Sequence, residues 1–222
     1  MKIRILIADN HTLFCEGLRT LAQKDPGLEV VGEAADGRAA VALAARLKPD
    51  VVLMDVVMPE LNGLEATRQI RAENPGVRVL ALSMHVDKRY VLGMLEAGAS
   101  GYLAKDSPFE EVARALRAVA AGQVYLAPGV AGLVVEDYAR RASAVPPTPA
   151  RPLSPREREI LQLLAEGWSA RKVAERLHVS VKTVETHRRN ILAKLDLDGI
   201  ASLTRYALRE GITSLDLSKT GP

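Results

Sequence analysis

Val51-Val52-Leu53-Met54-Asp55, followed by Val56-Val57-Met58-Pro59-Glu60-Leu61-Asn62-Gly63, is the stretch that decides the fold. Four apolar residues run without interruption into a carboxylate, and a proline and a glycine follow. A short Val/Leu run of this kind is the pattern of a strand buried on both faces, as in parallel sheets. Open α/β sheets bind ligands beyond the carboxyl ends of their strands. Asp55 stands at such an end.

Working outward, similar apolar runs occur at 3–8, 29–34, 77–82 and 101–104. Segments of helical periodicity lie between and after them, at 12–22, 38–47, 63–73, 88–97 and 109–121. The alternation βαβαβαβαβα predicts a parallel sheet covered by helices on both faces. Residues 128–141 predict a further helix, opened by Pro128. Ala142 to Pro155 holds five prolines among small residues and predicts an extended linker. The remainder is all helical, with segments at 155–165, 169–177, 181–195 and 199–209. Ser154 and Glu157 predict a capping box around Pro155, and Ser180 an N-cap.

The predicted class is thus α/β plus all-α. The divisions are residues 1–122, a linker helix and Pro-rich linker at 123–152, a helical domain at 153–212 and a flexible tail at 213–222. With 48% hydrophobic residues in 222, the chain can build packed cores without staples. Its only cysteine, Cys15, excludes an intramolecular disulfide and fits a reducing compartment. There is no leader-like start and no apolar run of about 18 residues, so a soluble cytoplasmic protein without a membrane partner is expected. Charge is unevenly placed. Residues 1–150 carry 17 Lys+Arg against 18 Asp+Glu, whereas residues 151–210 carry 12 against 8. A polyanion partner is therefore expected for the C-terminal part.

Four of the five predicted strands end in chemistry: Asp9-Asn10, Asp55, Ser83 and Lys105. Together they suit phosphoryl transfer. Asp55 is the candidate nucleophile, and oxygen ligands from Asp9, Asn10 and Asp55 would hold Mg2+ against the crowding of anionic oxygens. Lys105 and the Ser83 hydroxyl would contact phosphoryl oxygens.

Residues 1–122 resemble the receiver domain of two-component response regulators. The resemblance rests on Asp9, the stretch 51–63 around Asp55, Ser83 after Leu80-Ala81-Leu82, and GASGYLAKD at 98–106. It implies a flavodoxin-like (βα)5 fold and phosphorylation of Asp55 by a sensor histidine kinase. It further implies Mg2+ contact from the Val57 backbone carbonyl, and a switch built from Ser83 and Tyr102. One position departs from the family. Asn10 stands where a second carboxylate is usual, so weaker Mg2+ binding is expected.

Residues 153–210 resemble the helix-turn-helix of NarL/FixJ (LuxR-type) regulators. The carriers are LSPREREIL from Leu153, AEGWS from Ala165 and VAERLHVSVKTVETHRRNILAKL from Val173. The resemblance implies a four-helix domain whose third helix enters a DNA major groove. Glu185, Thr186 and Arg189 would face base edges, and Lys182, Thr183, His187, Arg188 and Lys194 phosphates. It also implies a homodimer on half-sites about one helical turn apart. Two other readings compete. A haloacid-dehalogenase-type phosphatase needs an acid where Val57 stands, so an enzyme is not expected. A phosphorylation-independent transcription factor with an atypical receiver is supported by Asn10 alone.

Overall fold

The computed structural model describes residues 2–143 and 153–214. The chain divides into two compact units, 1–144 and 145–222.

In the first unit β1 (Ile3–Ala8), β2 (Leu28–Ala34), β3 (Val51–Asp55), β4 (Arg78–Ser83), β5 (Gly101–Ala104) and β6 (Tyr125–Leu126) form one sheet. Its order is β2-β1-β3-β4-β5-β6, and every neighbouring pair is parallel. Helices α1 (Thr12–Lys24), α2 (Gly37–Leu47), α3 (Gly63–Glu73), α4 (Lys88–Glu96) and α5 (Phe109–Ala120) connect the strands. This is the flavodoxin-like arrangement expected from the alternation.

Side chains alternate across the pleat, so each strand feeds two cores. Leu6, Ala8, Val52, Met54, Val79 and Ala81 pack with Ala40, Ala44, Ala66, Ile70, Val91 and Met94 on one face. Ile5, Ile7, Leu53, Leu80 and Leu82 pack with Cys15, Leu18, Val112 and Leu116 on the other. Burying each large aliphatic contributes roughly 1.5–3 kcal/mol, enough to fix the strand register that sets the site.

Two elements after residue 122 belong to this unit. β6, two residues long, pairs with β5 through Gly101–Tyr125 and Tyr102–Leu126. It adds a sixth strand to the five that periodicity predicts, being too short to have a period of its own. Helix α6 (Pro128–Ser143) buries Val130 in the α3/α4 core, with Leu133 and Val134 packed against it. Ala142 and Ser143, which composition assigns to the linker, still belong to α6. Residues 144–152 of the expected linker, and 215–222 of the expected tail, lie outside the described residues.

The second unit holds α7 (Pro155–Ala165), α8 (Ala170–Arg176), α9 (Val181–Leu195) and α10 (Ile200–Arg209). Ile160, Leu163, Val173, Val184, Ile191, Leu203 and Ala207 are fully buried in its core. Trp168 packs against that core, as expected of an interhelix residue. The Ser154/Glu157 capping box and the Ser180 N-cap are both present.

Candidate functional site

Parallel register puts Ala8 beside Met54, Asp55 beside Leu82 and Ser83 beside Ala104. The residues that end β1, β3, β4 and β5 therefore share one rim. There the Lys105 ammonium lies 2.6 Å from Asp9 Oδ2 and 2.8 Å from Asp55 Oδ2. All three side chains are nearly inaccessible, at 3–4% exposure. Burial pushes the Asp55 carboxyl above its ordinary range, and the charge of Asp9 adds to that. Lys105 and the Val57 N–H, 3.4 Å from Asp55 Oδ1, act in the opposite direction.

The loop after β3 turns back against its own strand. The Gly63 N–H donates to Val56 O at 2.9 Å. A Cβ at Gly63 would lie 1.9 Å from the Asp55 carbonyl oxygen, so only glycine permits this approach. Asn62 then caps α3 by accepting from the Glu65 N–H.

Asn10 follows Asp9, and its side-chain oxygen is buried without a hydrogen-bond partner. A buried oxygen acceptor without a partner is a group that a hard cation can satisfy. His11, which no sequence motif singles out, joins the group. Its Nδ1 lies 2.9 Å from Asp9 Oδ1, 3.8 Å from Asp55 Oδ2 and 3.3 Å from Lys105 Nζ. Asp9, His11 and Asp55 form a set able to hold a metal ion. The only sequence signal for His11 is its place directly after Asp9-Asn10, in the loop where β1 ends.

Ser83 is fully buried, and its Oγ accepts from the His85 N–H at 3.1 Å. Tyr102 is also fully buried, and its hydroxyl donates to the His85 carbonyl at 2.5 Å. Burial holds this phenol far above its ordinary range. Val57 is partly buried on the loop after Asp55.

On α9, Lys182, Thr186 and Arg189 are exposed, and Thr183, Glu185, His187 and Arg188 are partly so. The Thr186 hydroxyl donates to Lys182 O, and Arg188 lies 3.6 Å from Glu185. His187 Nδ1 is buried without a partner. Lys194, expected to face phosphates, has its ammonium 2.7 Å from Glu157 Oε2 on α7. Glu157 is buried, so its charge draws the lysine back along the helix toward the capping box.

Known proteins share both units. The family described as "Response regulator receiver domain" matches residues 5–117. "Bacterial regulatory proteins, luxR family" matches residues 151–207. The transcriptional regulatory protein LiaR of Bacillus subtilis (strain 168) is 40% identical over 96% of this chain and 100% of its own length. DegU of Brevibacillus brevis is 37% identical over 95% and 94%. Among solved structures, the response regulator ChrA of a heme-sensing two-component system is 34% identical, with a TM-score of 0.52 over 95% of this chain and 98% of that one. A LuxR-family response regulator from Aurantimonas sp. SI85-9A1 is 38% identical, with a TM-score of 0.59 over 63% and 99%. With a receiver rim in its first unit and a helix-turn-helix in its second, this chain belongs to the LuxR-type two-component response regulators, transcriptional regulators rather than enzymes.

Proposed function

We propose that Asp55 is the phosphoacceptor and that its phosphorylation by a sensor histidine kinase controls DNA binding through α9. The observation that carries this reading is the Lys105 ammonium seated on both Asp9 and Asp55. A buried cation already offsets part of the charge of the two carboxylates, and it is within reach of an oxygen added to Asp55. In the step itself an Asp55 oxygen forms a bond to phosphorus as the phosphorus–nitrogen bond of the donor phosphohistidine breaks. The imidazole nitrogen keeps the electron pair and takes up a proton.

Asp9, the Asn10 side-chain oxygen, Asp55 and the Val57 carbonyl are the residues that would hold Mg2+. Bound there, the ion supplies charge neutralisation for the crowded oxygens. Lys105 pairs with one phosphoryl oxygen and the Ser83 hydroxyl donates to another. Ser83 Oγ accepts from the His85 N–H, so its movement toward the phosphoryl group acts on the loop that carries His85. Tyr102, bonded to the His85 carbonyl, shifts with that loop. The new group of about −2 charge supplies the driving force.

A receiver that continues past residue 122 through β6 and α6, and a DNA-binding domain at 153–212, frame this reading. On α9, Glu185, Thr186 and Arg189 read bases, while Lys182, Thr183, His187 and Arg188 meet phosphates. Lys194 instead buttresses α9 against α7. The active form is a homodimer acting in the cytoplasm. Among the described residues no helix is long and apolar enough to cross a membrane.

Labelling with acetyl phosphate and Mg2+, wild type beside Asp55→Ala, tests the proposal. Incorporation confined to wild type, with tighter and dimeric operator binding after labelling, is expected. DNA binding identical in both proteins, labelled or not, would favour the phosphorylation-independent alternative that Asn10 suggests.

A further inference from the structure

Among the neighbours of the Lys105 ammonium, one offers neither a charge nor a hydrogen-bonding atom. Asp9 Oδ2 lies 2.6 Å from Nζ, Asp55 Oδ2 2.8 Å and His11 Nδ1 3.3 Å. The Nζ atom also sits over the ring of Phe14, 5.1 Å from its centroid. An ammonium within about 6 Å of a ring centroid is attracted by the negative face of the π system. The attraction is largest where the cation is stripped of water, and the Lys105 side chain is only 3% exposed.

The fold sets the ring there. β1 ends at Ala8 and α1 starts at Thr12, so Phe14 falls in the first turn of the helix that leaves the rim. One turn further on, Leu18 is buried, and Phe14 packs against the core cluster that holds Leu18, Val112 and Leu116. Phe14 and Lys105 also border the same groove between α1 and α5, with Phe109 and Val112. The ring is therefore part of a packed layer, whereas the lysine stem is long and flexible.

The carboxylates cannot hold the ammonium in the same way throughout the reaction. Once an Asp55 oxygen is bonded to phosphorus, negative charge has moved outward onto the phosphoryl group, and Lys105 has to follow it. The attraction of an aromatic face does not depend on the ionisation of Asp55. Nor does the ring offer an acceptor that would compete with a phosphoryl oxygen for the ammonium protons. We propose that Phe14 is a positioning residue, whose ring keeps the Lys105 ammonium at the rim, within reach of the phosphoryl group, as charge leaves the Asp55 carboxylate. The proposal rests on the phosphoacceptor reading of Asp55. It gives α1 a part in the chemistry that strand ends alone do not supply.

The test uses the full-length protein with mono-, tri- and pentafluorophenylalanine in place of Phe14. Each fluorine withdraws charge from the ring face and changes its size little, so packing is kept while the attraction is lost. The first readout is the rate of Asp55 labelling by acetyl phosphate with Mg2+. A stepwise fall is expected, reaching roughly fivefold for the pentafluoro ring, with Phe14→Tyr near wild type and Phe14→Leu as slow as the pentafluoro protein. The second readout is thermal unfolding of the same series, beside the series in a Lys105→Met background. Fluorination should lower Tm relative to that background only where the lysine is present. Labelling rates that stay flat across the series overturn the positioning role. Tm values that change alike in both backgrounds overturn the contact on which it depends. Failure of the wild type to label, with a lysine-dependent Tm series, refutes the phosphoacceptor reading and the positioning role with it, but leaves the Phe14–Lys105 contact standing.

Discussion

The Lys88 ammonium on α4 lies 3.0 Å from the Asp137 carboxylate on α6, and Asp137 is 3% exposed. This pair fastens the helix that precedes residues 144–152 to the sheet face that holds Tyr102. Val130 of α6 and Tyr102 share one core cluster, and the Ala127 N–H donates to Tyr102 O. Tyr102 and α6 are thus packed in one cluster.

Asp137→Ala removes the buried partner of a half-solvated lysine. A loss of about 1–2 kcal/mol in urea unfolding is expected, with faster amide exchange across α6. Wild-type exchange rates in α6 would show that the pair does not hold the helix.

Asp55 gives a pH prediction of the opposite sign from most carboxylates. Its folded pKa is raised, first by burial and then by Asp9. Its contribution to stability is full below the unfolded pKa and is lost as pH rises through the folded one. At neutral pH without divalent ions the ionised group is a burden, so Asp55→Asn is expected to raise Tm by about 2–4 °C. The gain shrinks on acidification through the raised pKa, as wild-type Asp55 takes up its proton. Calorimetry in a chelator at neutral and mildly acidic pH measures both, and a lower Tm for the variant at neutral pH contradicts the assignment.

Glu157 behaves conventionally. Burial opposes its ionisation, but Lys194 and the Ser154 hydrogen bonds outweigh it and lower its pKa. Its stabilisation is present above the unfolded pKa and lost as pH falls through the folded one. Lys194→Ala should cost roughly 1–2 kcal/mol at neutral pH, with a smaller loss in acid. DNA affinity at fixed folded fraction should barely change. A drop in the salt slope of DNA binding by about one would return Lys194 to the phosphates.

Arg189 and Arg188 differ in what holds them. Arg189 is exposed, while Arg188 rests 3.6 Å from Glu185 in a solvated pair worth little. Arg189→Ala is expected to relax sequence preference by about 1–3 kcal/mol at one position. Arg188→Ala should weaken all DNA alike and flatten the salt dependence. Fluorescence anisotropy on operator and random duplexes at several salt concentrations separates the two, and equal losses for Arg189→Ala on both duplexes remove its base-reading role.

Much of this is legible in the sequence because it is local. Apolar runs such as 51–54 carry the strand signal within themselves, and Asn62, Ser154 and Ser180 cap helices a few residues away. Asp9, Asp55, Ser83 and Lys105 can be placed on one rim from strand ends alone, since parallel strands end on the same side. β6 is invisible to such reading because two residues have no period, and its pairing exists only where β5 offers an edge.

Sequence by itself thus determined the two architectures, the candidate phosphoacceptor position and the candidate recognition helix, all written in periodicity, caps and strand termini. Tertiary structure alone decided which side chains meet. Lys105 and His11 are 94 residues apart and touch only through the register of the parallel sheet. Lys194 meets Glu157 across 37 residues because α9 packs on α7. No local pattern encodes such distances; they follow from how β1, β3 and β5 align and how α9 packs on α7.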